Sequence, residues 1–172
     1  MNPMQTVRLE KLTLNIGAGK EPAKLEKGIS LLKAITGIDP LKTVTMKRIP
    51  SWGLRPGLPI GCKITLRREK AKELLGRLLK ARENKLRPSQ FDDHGNIAFG
   101  IHEYIDIPGV AYDPKIGVMG LQVCVTLEKP GYRIKRRKLM PRRIPSCHWV
   151  TRDEAIAFLR EHFNITVEEA AA

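Results

Sequence analysis

Hydrophobic residues alternate with polar ones near the N-terminus: Leu12, Leu14 and Ile16 against Lys11, Thr13 and Asn15, until Gly17-Ala18-Gly19 breaks the pattern. A period of two is the signature of a half-buried strand, and the glycines mark a turn. From Pro22 to about Ile35 the period changes. Leu25, Ile29, Leu32 and Ile35 recur at helical spacing, with Pro22 suited to a first turn and Gly37 to the residue past the end. A second strand is predicted over about Leu41 to Met46. A third follows from Ile60 to Arg68, with Ile60, Cys62, Ile64 and Leu66 on one face and Lys63, Thr65 and Arg67 on the other. Ala71, Leu74, Leu75, Leu78 and Leu79 then form the stripe of a second helix, about Glu69 to Glu83.

After Pro88, the run Phe91-Asp-Asp-His-Gly-Asn96 is a turn leading to a strand from about Ile97 to Ile101. Residues 102 to 119 form a long loop with room for a short helical turn. The next strand sets Leu121, Val123, Val125 and Leu127 against Gln122, Cys124, Thr126 and Glu128. At the C-terminal end Thr151 and Glu154 match a capping box, followed by Ala155, Ile156, Leu159 and Phe163. The first few residues and Glu168 to Ala172 are expected to be frayed.

Helices on one side of such strands leave the other sheet face open. The predicted class is therefore α+β: an antiparallel sheet with helices packed on one face, a ferredoxin-like plait with extensions. Residues 1–172 are expected to make a single domain, with a long loop at 46–59 and a basic arm at 129–143. The open face presents Lys11, Thr13, Asn15, Thr43, Thr45, Lys63, Thr65, Arg67, Gln122 and Thr126, polar and basic without an aromatic ring. Asn15 stands out among them, because Asn is depleted in strands and can read a base edge.

Charge narrows the partners. The chain carries 31 Lys+Arg against 18 Asp+Glu, a net +13. Arg133, Lys135, Arg136, Arg137, Lys138, Arg142 and Arg143 crowd one arm, and no Asp or Glu lies between Lys129 and Arg143. Like charges at that density repel unless a polyanion neutralises them, which points to nucleic acid phosphates. The loop from Met46 to Pro59 holds Lys47, Arg48, Arg55 and Trp52 and no acidic residue. Basic and aromatic side chains together suit a backbone-plus-stacking contact to RNA. A ring-free sheet face argues for folded RNA over single strands.

Other classes fit poorly. No apolar run is long enough to span a bilayer, no secretory signal follows Met1, and the chain is expected in the cytoplasm. Cys62, Cys124 and Cys147 are few and scattered, which suits neither a disulfide framework nor a metal site, so no cofactor or metal is expected. Asp92-Asp93-His94 and His102-Glu103 lack ligand spacing, and no P-loop, Gly-x-Ser-x-Gly or His-Glu-x-x-His occurs. An enzyme is not expected. An RNA chaperone or assembly factor remains the alternative.

Several stretches in one consistent order carry a resemblance: Leu14-Asn-Ile-Gly-Ala-Gly19, Ile35-Thr-Gly37, Ile60-Gly-Cys-Lys-Ile-Thr-Leu-Arg67, Phe91 through Ile101, Ile105-Asp-Ile-Pro-Gly109, Tyr112-Asp-Pro114 and Val125 through Arg133. Together they resemble the universal large-subunit ribosomal protein five family, the 5S rRNA-binding family, in its archaeal form. The resemblance implies a structural constituent of the large ribosomal subunit that helps attach 5S rRNA in the central protuberance. Lys11, Thr13, Asn15, Gly17, Lys63, Thr65 and Arg67 would then face 5S rRNA. Lys47, Arg48, Trp52 and Arg55 would lie in the loop that approaches P-site tRNA. The segment around Ile105 to Lys115 would bridge to small-subunit ribosomal protein thirteen. A 23S-type rRNA and a neighbouring 5S-binding ribosomal protein are further implied partners. Arg142 to Trp149 match no motif of the family, and only their charge points them at rRNA.

Overall fold

The computed structural model describes residues 2–167; Met1 and the predicted frayed end, 168–172, lie outside the described residues. The elements run β1 (Arg8–Gly17), α1 (Pro22–Thr36), β2 (Leu41–Val44), β3 (Pro59–Leu66), α2 (Arg68–Lys80), β4 (Lys85–Leu86), β5 (Asn96–Ile101), β6 (Leu121–Glu128), α3 (Arg152–Phe163) and β7 (Thr166–Val167). Five strands form an antiparallel sheet in the order β2-β3-β1-β6-β5. Without β5 this is the order of a βαββαβ plait; β5 adds a fifth strand beyond β6. The pair β4 and β7 forms a small parallel ladder that the sequence pattern does not signal. The predicted α+β class and one-sided sheet are what the chain adopts.

By packing, the chain resolves into two compact units: residues 1–12, 67–99 and 124–172, and residues 13–66 and 100–123. The second unit holds α1. Its buried stripe is Leu25, Gly28, Leu31, Leu32 and Ile35, with Ile29 at the margin. Gly28 is needed for close approach: a Cβ there would stand 3.1 Å from the Cys62 sulfur and 3.3 Å from Ile16 Cγ2. Pro22 occupies the first turn and Gly37, at φ 69°, ends the helix by donating to the Lys33 carbonyl at 2.8 Å.

The first unit holds α2 and α3. Ala71, Leu74, Leu75, Leu78 and Leu79 of α2 are all buried, as their spacing requires. The helix stops at Lys80, three residues earlier than predicted, and Glu83 and Asn84 take left-handed backbone at φ 55° and 57°. In α3 the capping box forms in both directions: Glu154 N donates to Thr151 Oγ1 at 3.4 Å, and Thr151 N donates to Glu154 Oε2 at 3.0 Å. Phe158 is buried there beside Ala155 and Leu159, whereas Ile156 and Phe163 are only half-buried.

Further boundaries differ from the sequence pattern. β3 ends at Leu66, so Arg67 is not a strand residue but the extended cap before α2. β2 ends at Val44, two residues earlier than predicted, and a register shift against β3 falls between Thr43 and Val44. Thr45 is not on the open face: it is buried, its N–H and hydroxyl both donating to the Leu58 carbonyl at 2.9 and 3.2 Å. Glu128, at the end of β6, is only 6% exposed and pairs with Arg8 and Arg136. At the N-terminus, Pro3–Gln5 form a 3-10 turn capped by Asn2 Oδ1 instead of fraying.

Candidate nucleic-acid interface

In the second unit β1 ends because two successive amides, Ala18 and Gly19, both donate to the Ile60 carbonyl, at 2.9 and 3.0 Å. That closes the Asn15-x-Gly17-x-Gly19 turn against the start of β3. Thr13 and Thr65 stand opposite each other with their hydroxyl oxygens 3.4 Å apart. Asn15 Nδ2 donates to Gln122 Oε1, also at 3.4 Å. Each contact uses only part of what these exposed groups offer, since a hydroxyl can both donate and accept and an amide carries a further donor and acceptor, so both pairs retain capacity for an external partner. Lys63 is exposed on the same face of β3, while Gly17 is open, with nothing within 4 Å of where a Cβ would sit. Lys11, half-buried, and Arg67, exposed, belong to the first unit.

The 46–59 loop has more structure than its composition suggests. Ile49 and Leu54 pair as an antiparallel bridge around a 3-10 turn at Pro50–Trp52, and Gly53 takes φ 61°. Leu54 is buried, and Gly57 N donates to the Thr45 carbonyl at 2.8 Å. This small frame holds Trp52 outward at 64% exposure, so its ring does not cover the core. Lys47, Arg48 and Arg55 are exposed around it. Lys20 joins them: its side chain lies across Gly53, a contact that no local pattern announces.

The basic arm is anchored where its sequence suggests free charge. Acids from outside the arm meet it. Arg136 Nη2 contacts Glu10 Oε1 at 2.6 Å and Glu128 Oε2 at 2.8 Å, and Arg8 Nη2 reaches Glu128 Oε1 at 2.7 Å. The absence of nearby acids in the arm's own sequence therefore misleads for Arg136, because β1 and β6 provide two. Lys129 is buried and donates to Glu154 and to the Trp149 carbonyl, at 2.8 and 3.0 Å. Burial pushes the Glu154 carboxyl upward, but the Lys129 ammonium and the Thr151 amide outweigh it and hold the group below its ordinary value. Arg137 Nε donates to the Met140 carbonyl at 2.8 Å, and the Lys135 ammonium sits 4.9 Å from the Tyr132 ring centre. Arg133, Lys138, Arg142 and Arg143 are exposed.

Trp149 closes the arm back on the first unit. Its Nε1 donates to the Ile144 carbonyl at 3.1 Å, and its ring meets His94 edge-on, 4.6 Å between centroids. The Asp92–Asn96 segment behaves as a turn: Asp92 accepts from Asn96 Nδ2 at 3.0 Å and from Asp93 N at 2.8 Å. Those hydrogen bonds, the Asn96 one foremost, lower the Asp92 carboxyl. Among the described residues no three His, Cys, Asp or Glu side chains gather in a way that could hold a metal ion, and no helix is long and apolar enough to cross a membrane.

Residues 2–55 match the family model for ribosomal protein L5, and residues 59–161 match the model for the C-terminus of the same ribosomal family. The chain belongs to the ribosomal protein L5 family. Among its relatives, the large ribosomal subunit protein uL5 of Sulfurisphaera tokodaii is 44% identical over 98% of this chain and 96% of its own length. The uL5 of Methanosphaera stadtmanae is 44% identical over 98% and 100%, and that of Nanoarchaeum equitans 46% over 96% and 98%. Ribosomal protein L5 is a structural, rRNA-binding family. Its C-terminal match starts at Pro59, the first residue of β3, and includes Arg142 to Trp149, where sequence motifs were silent.

Proposed function

We propose that this L5-family chain is a structural constituent of the large ribosomal subunit that binds 5S rRNA and helps attach it in the central protuberance. The observation that carries this is the open face of the second unit. Two exposed polar pairs with spare hydrogen-bonding capacity, Thr13 with Thr65 and Asn15 with Gln122, stand beside Lys63 with no ring to stack a base. Such a face suits riboses, phosphates and protruding base edges of folded RNA. Asn15 and Thr65 supply local specificity, with Lys11, Thr13, Gly17, Lys63 and Arg67 as further 5S rRNA contacts. Arg133, Lys135, Arg137, Lys138, Arg142 and Arg143 supply phosphate contacts, including to 23S-type rRNA, while Arg136 contributes from its ion pair.

The outward Trp52, with Lys47, Arg48 and Arg55, is the contact to P-site tRNA. The segment around Ile105 to Lys115 faces small-subunit ribosomal protein thirteen, and a neighbouring 5S-binding ribosomal protein shares the site. The test is a titration of the chain against 5S rRNA at several salt concentrations, with tRNA and an rRNA hairpin of matched length as competitors. Selective retention of 5S rRNA as salt rises is the expected result. Indifferent binding to all three RNAs overturns it in favour of an RNA chaperone. Replacing Trp52 and Arg55 together should spare 5S binding and weaken P-site tRNA retention; loss of 5S binding instead would misplace the loop.

A further inference from the structure

A concave site of about 380 Å³ opens in the first unit, where the arm returns over β5 and β6. Its wall is mainly apolar and aromatic, from Trp149, Tyr132, Leu127 and Ile144, and the cations Lys135 and Arg143 border it. The sheet side offers Asn96 and Thr126. Trp149 lines this site and is 40% exposed as a residue, even though its indole N–H and carbonyl are both bonded and its ring meets His94 edge-on, so it is held in place without being buried.

We propose that this pocket receives one unpaired RNA base, stacked against Trp149, with its flanking phosphates held by Lys135 and Arg143. The inference rests on the rRNA-binding reading above and names a site within it. A volume of this size suits a single small ligand. An apolar ring with cations at the rim is complementary to a nucleotide, which presents a π face and a negative backbone together. Glu10 also lines the pocket, and its charge is balanced by Arg136 at 2.6 Å, so it does not repel the phosphate as a free carboxylate would. As an acceptor it favours a base with an exocyclic amino group over uracil.

Trp149 is also the reporter. In the full chain carrying Trp52→Phe, Trp149 is the remaining tryptophan, and AMP, UMP and ribose 5-phosphate are the probes. AMP should quench its emission saturably, UMP more weakly, and ribose 5-phosphate not at all. Replacing Lys135 and Arg143 with Ala, both at the pocket edge, should weaken AMP roughly fivefold at low salt with an unchanged unfolding midpoint. Equal responses to AMP and ribose 5-phosphate, or no saturable quenching by AMP, overturn the pocket. Binding of 5S rRNA by the same proteins separates the two readings: retained 5S binding without quenching removes only the pocket, whereas loss of 5S selectivity in the unsubstituted chain removes the rRNA reading itself.

Discussion

Neighbouring arginines of the arm perform different tasks. Arg136 neutralises Glu10 and Glu128, whose side chains are each 8% exposed, whereas Arg137 caps a carbonyl at the surface. Removing Arg136 leaves buried carboxylates short of a partner, and that is costlier than losing a surface contact. Arg136→Ala should therefore lower stability by about 1–3 kcal/mol in urea unfolding, while Arg137→Ala should change stability little and reduce the salt slope of RNA binding by about one unit. A second contrast is expected on the sheet: Asn15→Ala and Thr65→Ala should each weaken 5S rRNA binding with little change in slope, as filter binding across a salt series would show. Chain order displays the arm's charge but not its cancellation, since Glu10 lies more than a hundred residues from Arg136 and no local spacing links them.

Among the elements, α3 is the one whose ends were most legible. Thr151 and Glu154 sit three apart, and their capping box depends only on local geometry. Thr151→Ala should cost about 1 kcal/mol, read from the thermal midpoint. Glu154 adds a pH dependence. Its carboxyl is held below the ordinary value in the fold, so the stability it contributes is present above the unfolded value and is lost as pH falls through the folded one. Glu154→Gln should flatten the acid limb of stability below about pH 4, measured by unfolding at successive pH values. Other elements were less legible because distant residues set them. β2 carries a register shift against β3 between Thr43 and Val44, and Thr45 just beyond it is buried. Asn84 accepts from Thr166 N at 2.9 Å, a contact across the chain beside the β4–β7 ladder. Gly95 illustrates the same point. At φ 72°, with a would-be Cβ 2.7 Å from the Val150 side chain, it should cost about 2 kcal/mol or more when replaced by Ala.

For the molecule as a whole, periodicity sufficed for the α+β class and for much of the polar face, because burial of alternating residues dictates both, but not for Thr45 or Arg67. Where Trp52 points, how Lys20 meets Gly53, and how Trp149 and His94 form one wall depend on loop paths that periodicity does not encode. The net charge of +13 makes affinity for RNA steeply salt-dependent, but charge alone confers no choice of sequence or shape. Selectivity must come from features beyond charge, and the proposed 5S rRNA reading assigns that role to the uncharged sheet pairs.

The pairing of Arg8 and Arg136 with Glu10 and Glu128 bears on the thermodynamics of assembly. Partly buried ion pairs are screened far less than exposed ones, so ionic strengths that strip RNA from the surface leave the arm's root in its native shape. The root of the arm is thus preorganised, and the RNA docking proposed for the arm should need no coupled folding there. Calorimetry should accordingly find a heat-capacity change no larger than the contact surface alone explains, without the excess that accompanies a segment ordering on its partner.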